Sequence, residues 1–363
     1  MADAAHDPAS LLRLALLALV LALLPLSWWW LRQRGARVQS RLAALTAITL
    51  FLTFDLIVFG AFTRLTDSGL GCPDWPGCYS QASPVGAAAQ IGAAQAALPS
   101  GPVTHSKAWI EMLHRYLAMA VGVLILVAAW MGWRRRAELP HSPMWALATL
   151  VWVVVQGLFG KYTVTLKLYP AIVTLHLLGA LILLGLLVLQ HESFRDRPLR
   201  LGLPRRVIAA VLLLLMAQVA LGGWVSSNYA VLACGGFPQC NGQWWPAMDA
   251  PSGFTVLREL GRTGDGGLLG VPALVAIHMG HRLFAIAATV AVAALAWVLW
   301  RDGQRSARRY SLALTGLLLA QLASGLSNVV LGWPLPAALA HSAGAAALAG
   351  VLASLWARAR PRW

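Results

Sequence analysis

The sequence predicts an all-α polytopic membrane protein made of two pseudo-symmetric four-helix bundles and one additional helix. Of its 363 residues, 59% are hydrophobic and only 11% are charged, which excludes an ordinary soluble domain. Crossing a hydrocarbon core of about 30 Å takes roughly 20 helical residues. Nine apolar runs of about that length follow one another along the chain, at 11–31, 42–62, 108–130, 145–165, 170–190, 206–226, 271–300, 309–331 and 335–357.

Basic residues mark every second connection between these spans. The arginine clusters lie at 32–41, 134–136, 195–206, 301–309 and 358–362. The positive-inside rule places these clusters in the cytoplasm, so the N-terminus and the long loops 63–107 and 227–270 face outward. The net charge of +15 follows from this asymmetry. A nucleic-acid partner is not expected, because such a protein gathers its cations on one soluble face.

The first span is predicted to be a retained anchor rather than a signal peptide. A signal peptide carries its positive charge before the apolar core, whereas Asp3 and Asp7 precede this core and the arginines follow it. Three consecutive tryptophans at 28–30 are typical of an aromatic belt at a membrane interface. We therefore assign residues 1–41 to an anchor helix with a basic cytoplasmic linker.

The eight remaining spans form an internal repeat. Segment 60–78 aligns with 222–240 at a constant offset of 162, and later motifs align at offsets of 165–167. The alignment pairs Cys72 with Cys234, Cys78 with Cys240, Gln156 with Gln321 and Gly160 with Gly325. Four spans return the chain to the side where it started, so both halves have one orientation, and each can form a four-helix bundle. The halves are placed at 42–200 and 201–363.

Four histidines occupy repeated positions near the outward ends of four spans. They form two pairs, separated by 62 and 60 residues: His114 with His176, and His281 with His341. A histidine inside a span is costly and usually functional, and its ordinary alternative is a hydrogen bond between helices. Duplication favours a common function, and neutral imidazole is a standard axial ligand of haem iron. The pattern predicts two bis-histidine haem sites.

Charged residues beside these histidines differ between the halves. Arg115 and Arg282 directly follow the first histidine of each pair, where a guanidinium could pair with haem propionates or simply reach toward the interface. Glu111 lies three residues before His114 on the same helix face, whereas the second half has His278 there. A carboxylate can accept protons or stabilise positive charge, which assigns catalysis to the first site. An ion pair with a neighbouring arginine is the alternative.

The four cysteines lie only in the two outward loops. Cys72 and Cys78 are in the first loop, and Cys234 and Cys240 are in the second. Outside the membrane they meet an oxidising compartment, so two disulfides that close small loops are expected. Each pair has five intervening residues, a wider spacing than the CxxC of thiol oxidoreductases, which weakens a catalytic interpretation.

Five motifs in order resemble the haem A synthase (COX15/CtaA) family. They occupy 60–78, 111–115, 163–164, 175–179 and 277–282, and the similarity covers roughly residues 45–357. The resemblance implies eight core helices, a resident haem b in the C-terminal half and haem O as substrate in the N-terminal half. It implies oxidation of the C8 methyl of haem O to a formyl, which gives haem A for terminal cytochrome oxidases. It also suggests that the first cysteine pair passes electrons or contacts the incoming haem.

The resemblance further implies a location and partners. These are the bacterial inner membrane with periplasmic cysteine loops, its lipid, a haem O synthase (protohaem farnesyltransferase) and cytochrome oxidase assembly factors. The sequence leaves open whether the chain is a monomer or a homo-oligomer. Two other classes remain as alternatives. A dihaem b-type electron-transfer cytochrome normally stacks its haems across the membrane, whereas these histidines lie at one depth, and a periplasm-facing thiol/quinone oxidoreductase would centre on the cysteines.

Overall fold

A computed structural model describes residues 8–139, 142–195 and 197–361. Asp3, Asp7 and Arg362, which enter the topology prediction, lie outside these ranges. The described residues form eleven α-helices: α1 (Pro8–Arg32), α2 (Val38–Leu65), α3 (Ala88–Ala97), α4 (His105–Arg134), α5 (Met144–Thr165), α6 (Pro170–Arg195), α7 (Arg205–Ser227), α8 (Ala250–Gly253), α9 (Val271–Arg301), α10 (Arg305–Val330) and α11 (Leu335–Arg358).

Nine of the described helices are long and apolar enough to cross a membrane, and they coincide with the nine predicted spans. Helices are the natural form for such runs, because a bilayer offers no partner for backbone N–H and C=O groups and a helix satisfies them internally. The all-α, multi-pass fold class is confirmed. The pseudo-symmetry of the two bundles stays a prediction.

The chain divides into two compact units. The first comprises Met1–Leu168 with Ser193–Arg195, and the second comprises Tyr169–Glu192 with Asp196–Trp363. Most of α6 therefore belongs to the second unit. The predicted boundary between residues 200 and 201 rests on the sequence repeat, which this packing does not test, and it stays a prediction.

In the first unit, α4 is the central helix and packs against α1, α2 and α5. At one end, Trp29 of α1 packs with Leu45 of α2 and Leu124 of α4 in a buried cluster. At the other end, the loop between α2 and α4 folds down onto α4, where Tyr116 donates a 2.6 Å hydrogen bond to the Ala82 carbonyl. This loop therefore covers the first turns of α4.

In the second unit, α9 packs against α7 and α10, and α11 packs against α10 and α7. Helix α6 is held to α11 by a 2.7 Å hydrogen bond that Ser354 donates to Glu192. Two three-residue strands, β1 (Leu199–Leu201) and β2 (Ala359–Pro361), pair in parallel at the arginine-rich end. This small sheet is an addition to the all-α prediction.

Candidate functional site

The second unit brings two of the predicted ligands together. The ring centroids of His281 on α9 and His341 on α11 are 6.5 Å apart, and the ring planes are inclined by 79°. Two imidazoles that bind one metal from opposite sides, with bonds of roughly 2.0–2.1 Å, place their centroids about 6 Å apart. The separation therefore fits an iron ion held between these rings.

The neighbours of His341 determine which of its nitrogens can bind metal. The hydroxyl of Ser324 on α10 donates a 2.7 Å hydrogen bond to the Ala320 carbonyl. Because that proton is engaged, the Ser324 oxygen accepts from Nδ1 of His341, 3.1 Å away. The Nδ1 atom then carries the ring proton, and Nε2 keeps its lone pair for a metal. A Cβ atom placed on Gly325 would lie only 3.1 Å from the Cε1 atom of this ring.

His281 is contacted by α7, but its polar neighbour is a donor rather than an acceptor. The side-chain amide nitrogen of Gln218 lies 3.1 Å from Nδ1 of His281 and donates a 3.2 Å hydrogen bond to the His281 carbonyl. One turn later, a Cβ atom on Gly222 would lie 3.1 Å from Cε1 of the same ring. Each imidazole of the pair thus has a polar side chain and a glycine as neighbours. Such contacts fix the orientation of metal-binding histidines.

In the first unit, His114 is half-buried on α4. Its ring lies nearly parallel to that of Phe59 on α2, with centroids 6.2 Å apart. A Cβ atom on Gly60 would lie 3.0 Å from Cε1 of His114, so the first histidine of both halves faces a glycine at aligned positions. His176, on α6, belongs to the second unit. The pairing of His114 with His176 stays a prediction.

Glu111 is buried on α4, with 4% of its surface exposed. It forms an ion pair with Arg115, one turn along the helix, which is the arrangement that the sequence left as the alternative. Its other oxygen accepts a 2.8 Å hydrogen bond from the Cys72 backbone N–H. Arg115 also donates to the Asp74 and Gly77 carbonyls. The carboxylate and guanidinium therefore fasten the first cysteine loop to α4, and a catalytic role for Glu111 stays a prediction.

Arg282 has the corresponding role in the second unit. Its guanidinium donates hydrogen bonds of 2.7, 3.0 and 3.2 Å to the carbonyls of Cys234, Gly236 and Gln239. Both predicted propionate-binding arginines are thus engaged with loop carbonyls in this structure, and propionate binding stays a prediction. The sequence did not indicate these contacts, because they depend on how each loop folds over the helix below it.

Both predicted disulfides are formed, and they close the two loops at aligned positions. The Cα atoms of Cys72 and Cys78 are 4.9 Å apart, and those of Cys234 and Cys240 are 4.8 Å apart. All four cysteines are buried. Each short covalent loop therefore presents its carbonyl oxygens to the arginine that follows a candidate ligand.

Nine long apolar helices among the described residues, together with two imidazoles whose ring centroids are 6.5 Å apart, define the class: a multi-pass membrane protein with a facing pair of histidines. Residues 43–353 match the model of one family, described as COX15-CtaA, cytochrome oxidase assembly protein. The chain belongs to this family. Helix α1 lies before the matched region.

Several relatives are named heme A synthase. The protein from Shewanella oneidensis is 37% identical, over 85% of this chain and 93% of its own length. Those from Methylobacterium nodulans and Halalkalibacterium halodurans are 30% and 27% identical, over 83% and 79% of this chain and 87% and 86% of their own lengths. The sequence-based resemblance to this family is confirmed.

Proposed function

We propose that this chain is a haem A synthase, a membrane oxidoreductase that converts the C8 methyl of haem O to the formyl of haem A for terminal cytochrome oxidases. The carrying observation is the facing pair of His281 and His341, whose centroid separation of 6.5 Å suits an iron ligated on both sides. The name of the relatives supports the activity. A dihaem electron-transfer cytochrome and a thiol/quinone oxidoreductase are not favoured by these relatives.

In this proposal His281 and His341 hold a resident haem b. Bound there, the haem would supply one-electron chemistry to the second half. Ser324 orients the His341 ring so that Nε2 faces the metal position, and Gln218 restrains the His281 ring. Ser324 need not move for iron to bind at Nε2 of His341, and a preorganised ligand is the requirement for a stable prosthetic group.

His114 and His176 are proposed as the ligands of the substrate, haem O. Conversion of a methyl to a formyl adds one oxygen atom and, balanced with water, releases protons and electrons (R–CH3 + H2O → R–CHO + 4 H+ + 4 e−), so the substrate needs a proton acceptor beside it. Glu111 lies one turn before His114 on α4, and its position is fixed by Arg115 and by the Cys72 N–H. We assign it this role. Arg115 and Arg282 are proposed to approach the propionates from the loop edge.

The proposed location is the bacterial inner membrane, with both cysteine loops in the periplasm. Haem O would arrive from a haem O synthase, and cytochrome oxidase assembly factors would receive the product. The activity is tested by expressing the chain with a haem O source and separating the extracted haems chromatographically. Haem A should accumulate, and its absence beside bound haem O would contradict the proposal.

Topology provides the first prediction. Reporters fused after residues 90 and 250 should show a periplasmic location, and reporters fused after residues 137 and 304 should show a cytoplasmic location. This pattern is expected because the arginine clusters alternate. Alkaline phosphatase and green fluorescent protein are suitable paired reporters. A cytoplasmic signal at residue 90 would reverse the orientation and remove the oxidising setting of the disulfides.

Ser324 provides the second prediction. Ser324→Ala removes the side-chain oxygen beside Nδ1 of His341 and should weaken haem retention about 10- to 100-fold, the usual effect of losing a partner of a metal-binding histidine. Haem retained during dilution and the low-spin spectrum are the measurements. Ser327→Ala is the matched control, because Ser327 is a half-buried serine on the same helix whose hydroxyl donates to the Ala323 carbonyl. Equal retention in both variants would contradict the assignment.

A further inference from the structure

A cavity of about 780 Å³ opens between α1, α2 and α4 at the arginine-rich end of the first unit. Its cationic lining consists of Arg34, Arg41, Arg134 and Arg135, and no aspartate or glutamate is among the described residues that line it. Part of the wall comes from α1, which lies before the region matched by the family. The haem chemistry proposed above makes no use of this cavity.

Arg41 packs on two tryptophan rings in this cavity. Its guanidinium lies over the rings of Trp29 and Trp30, 5.2 and 4.7 Å from their centroids. The Trp29 indole N–H donates a 2.8 Å hydrogen bond to the Arg41 carbonyl, which ties the end of α1 to the start of α2. The Nε atom of Arg41 is buried and has no hydrogen-bond partner in the described part of the chain. A buried donor without an acceptor is costly, so this position favours a ligand that supplies one.

The charge of the cavity is only partly compensated. Arg135 pairs with Glu138 at 2.9 Å. For Arg34, Arg41 and Arg134, no carboxylate of the described residues lies within ion-pair distance. Arginines at a membrane interface often extend toward water. Here, however, Arg41 is half-buried and fixed between two rings, so it cannot do so freely.

Apart from Ser27 and the indole rings, the remaining lining is apolar. Leu26 comes from α1, and Val127 and Met131 come from α4. The cavity thus combines excess positive charge with an apolar wall, at the end of the helices that the arginines assign to the cytoplasm. Basic pockets between membrane helices at that level bind anionic lipid headgroups. A ligand with a phosphate and an attached hydrocarbon chain would complement both the positive charge and the apolar wall.

We propose that this cavity binds an anionic phospholipid of the inner leaflet. The lipid phosphate accepts hydrogen bonds from Arg41 and Arg34, and its acyl region packs against Leu26 and Met131. The bound lipid also links α1 to the core of the first unit, since residues of α1, α2 and α4 all contact it. The site is independent of haem ligation.

The test uses the full-length protein, purified in detergent and stripped of lipid. Short-chain phosphatidylglycerol, phosphatidylcholine of the same chain length and inorganic phosphate are titrated, and binding is measured by native mass spectrometry. One arginine near an anionic headgroup contributes about fivefold to binding, so the Arg34→Gln/Arg41→Gln double variant should bind phosphatidylglycerol roughly 25-fold more weakly. Phosphatidylcholine should bind weakly to both proteins.

Arg37→Gln is the matched control, because Arg37 is an exposed arginine in the same connection that does not line the cavity. It should bind phosphatidylglycerol as the unmodified protein does. If the double variant loses helical content by circular dichroism, Arg34→Gln alone, at an exposed position, should still weaken binding about fivefold. Equal binding of the two lipids, or equal loss in Arg37→Gln, would overturn the proposal. If inorganic phosphate displaced phosphatidylglycerol when both were present at the same concentration, the cavity would be a site for free anions and the lipid proposal would be wrong.

Discussion

Replacing Glu111 with glutamine is expected to leave haem bound while the conversion of haem O to haem A falls by about 10²–10⁴-fold, the range for a lost acid–base group. Glutamine has nearly the same shape, and its amide oxygen can still accept from the Cys72 N–H. It cannot take up a proton at neutral pH. Product haem per bound substrate haem, measured in single-turnover samples, is the readout.

The ion pair between Glu111 and Arg115 requires a control, because Glu111→Gln also removes the charge partner of a buried arginine. Arg115→Gln breaks the same ion pair and keeps the carboxylate. If the carboxylate takes part in the reaction, Glu111→Gln should be far less active than Arg115→Gln at equal haem content. Equal activities would reduce Glu111 to a residue that holds the cysteine loop in place, and normal haem A formation by Glu111→Gln would remove its proposed role altogether.

Loss of the resident haem is expected in His281→Ala. The alanine side chain cannot ligate iron, and the remaining His341 would hold the haem from one side only. The molar ratio of haem to protein should fall by the amount that one site contributes. The low-spin bis-histidine signal of that site should also disappear from the electron paramagnetic resonance spectrum. Unchanged haem content and spectrum would exclude this residue as a ligand.

Two further variants separate ligation from folding. His278→Ala alters a buried histidine one turn earlier on α9 and should keep the haem. His281→Met offers a thioether in place of the imidazole, and methionine–histidine ligation raises the haem potential. We expect His281→Met to retain haem at a higher potential. If it loses haem to the same extent as His281→Ala and His278→Ala does so too, the effect is on helix packing.

The transmembrane helices could be predicted because span length and hydropathy are local properties of the sequence. The predicted run 271–300 and the observed helix Val271–Arg301 differ by one residue at the end. The strands Leu199–Leu201 and Ala359–Pro361 were not predicted. Three residues are too few to show an alternation of apolar and polar side chains, and the two strands that pair are far apart in sequence.

The candidate site was predicted only in part. Repetition identified His281 and His341, and the structure places them together. Ser324 and Gln218 were missed, although the repeat contained a signal for both. Ser324 lies directly before Gly325, and Gln218 lies one turn before Gly222, and the repeat aligns both glycines with glycines of the first half. The positions of Arg115 and Arg282 could be read from the motif. Their contacts could not, since these depend on the tertiary fold of the loops.

The glycines that face the imidazoles have a consequence for electron transfer. At Gly60, Gly222 and Gly325, a single added carbon would lie within 3.0–3.1 Å of a histidine ring. The wall beside each ring is therefore backbone, which moves far less readily than a side chain in a packed helix bundle. If these rings ligate haem iron as proposed, rings confined in this way would change position little when the iron is oxidised or reduced. The reorganisation energy of the proposed centre would then be small, and its physical origin would be the absence of a methyl group rather than an added contact.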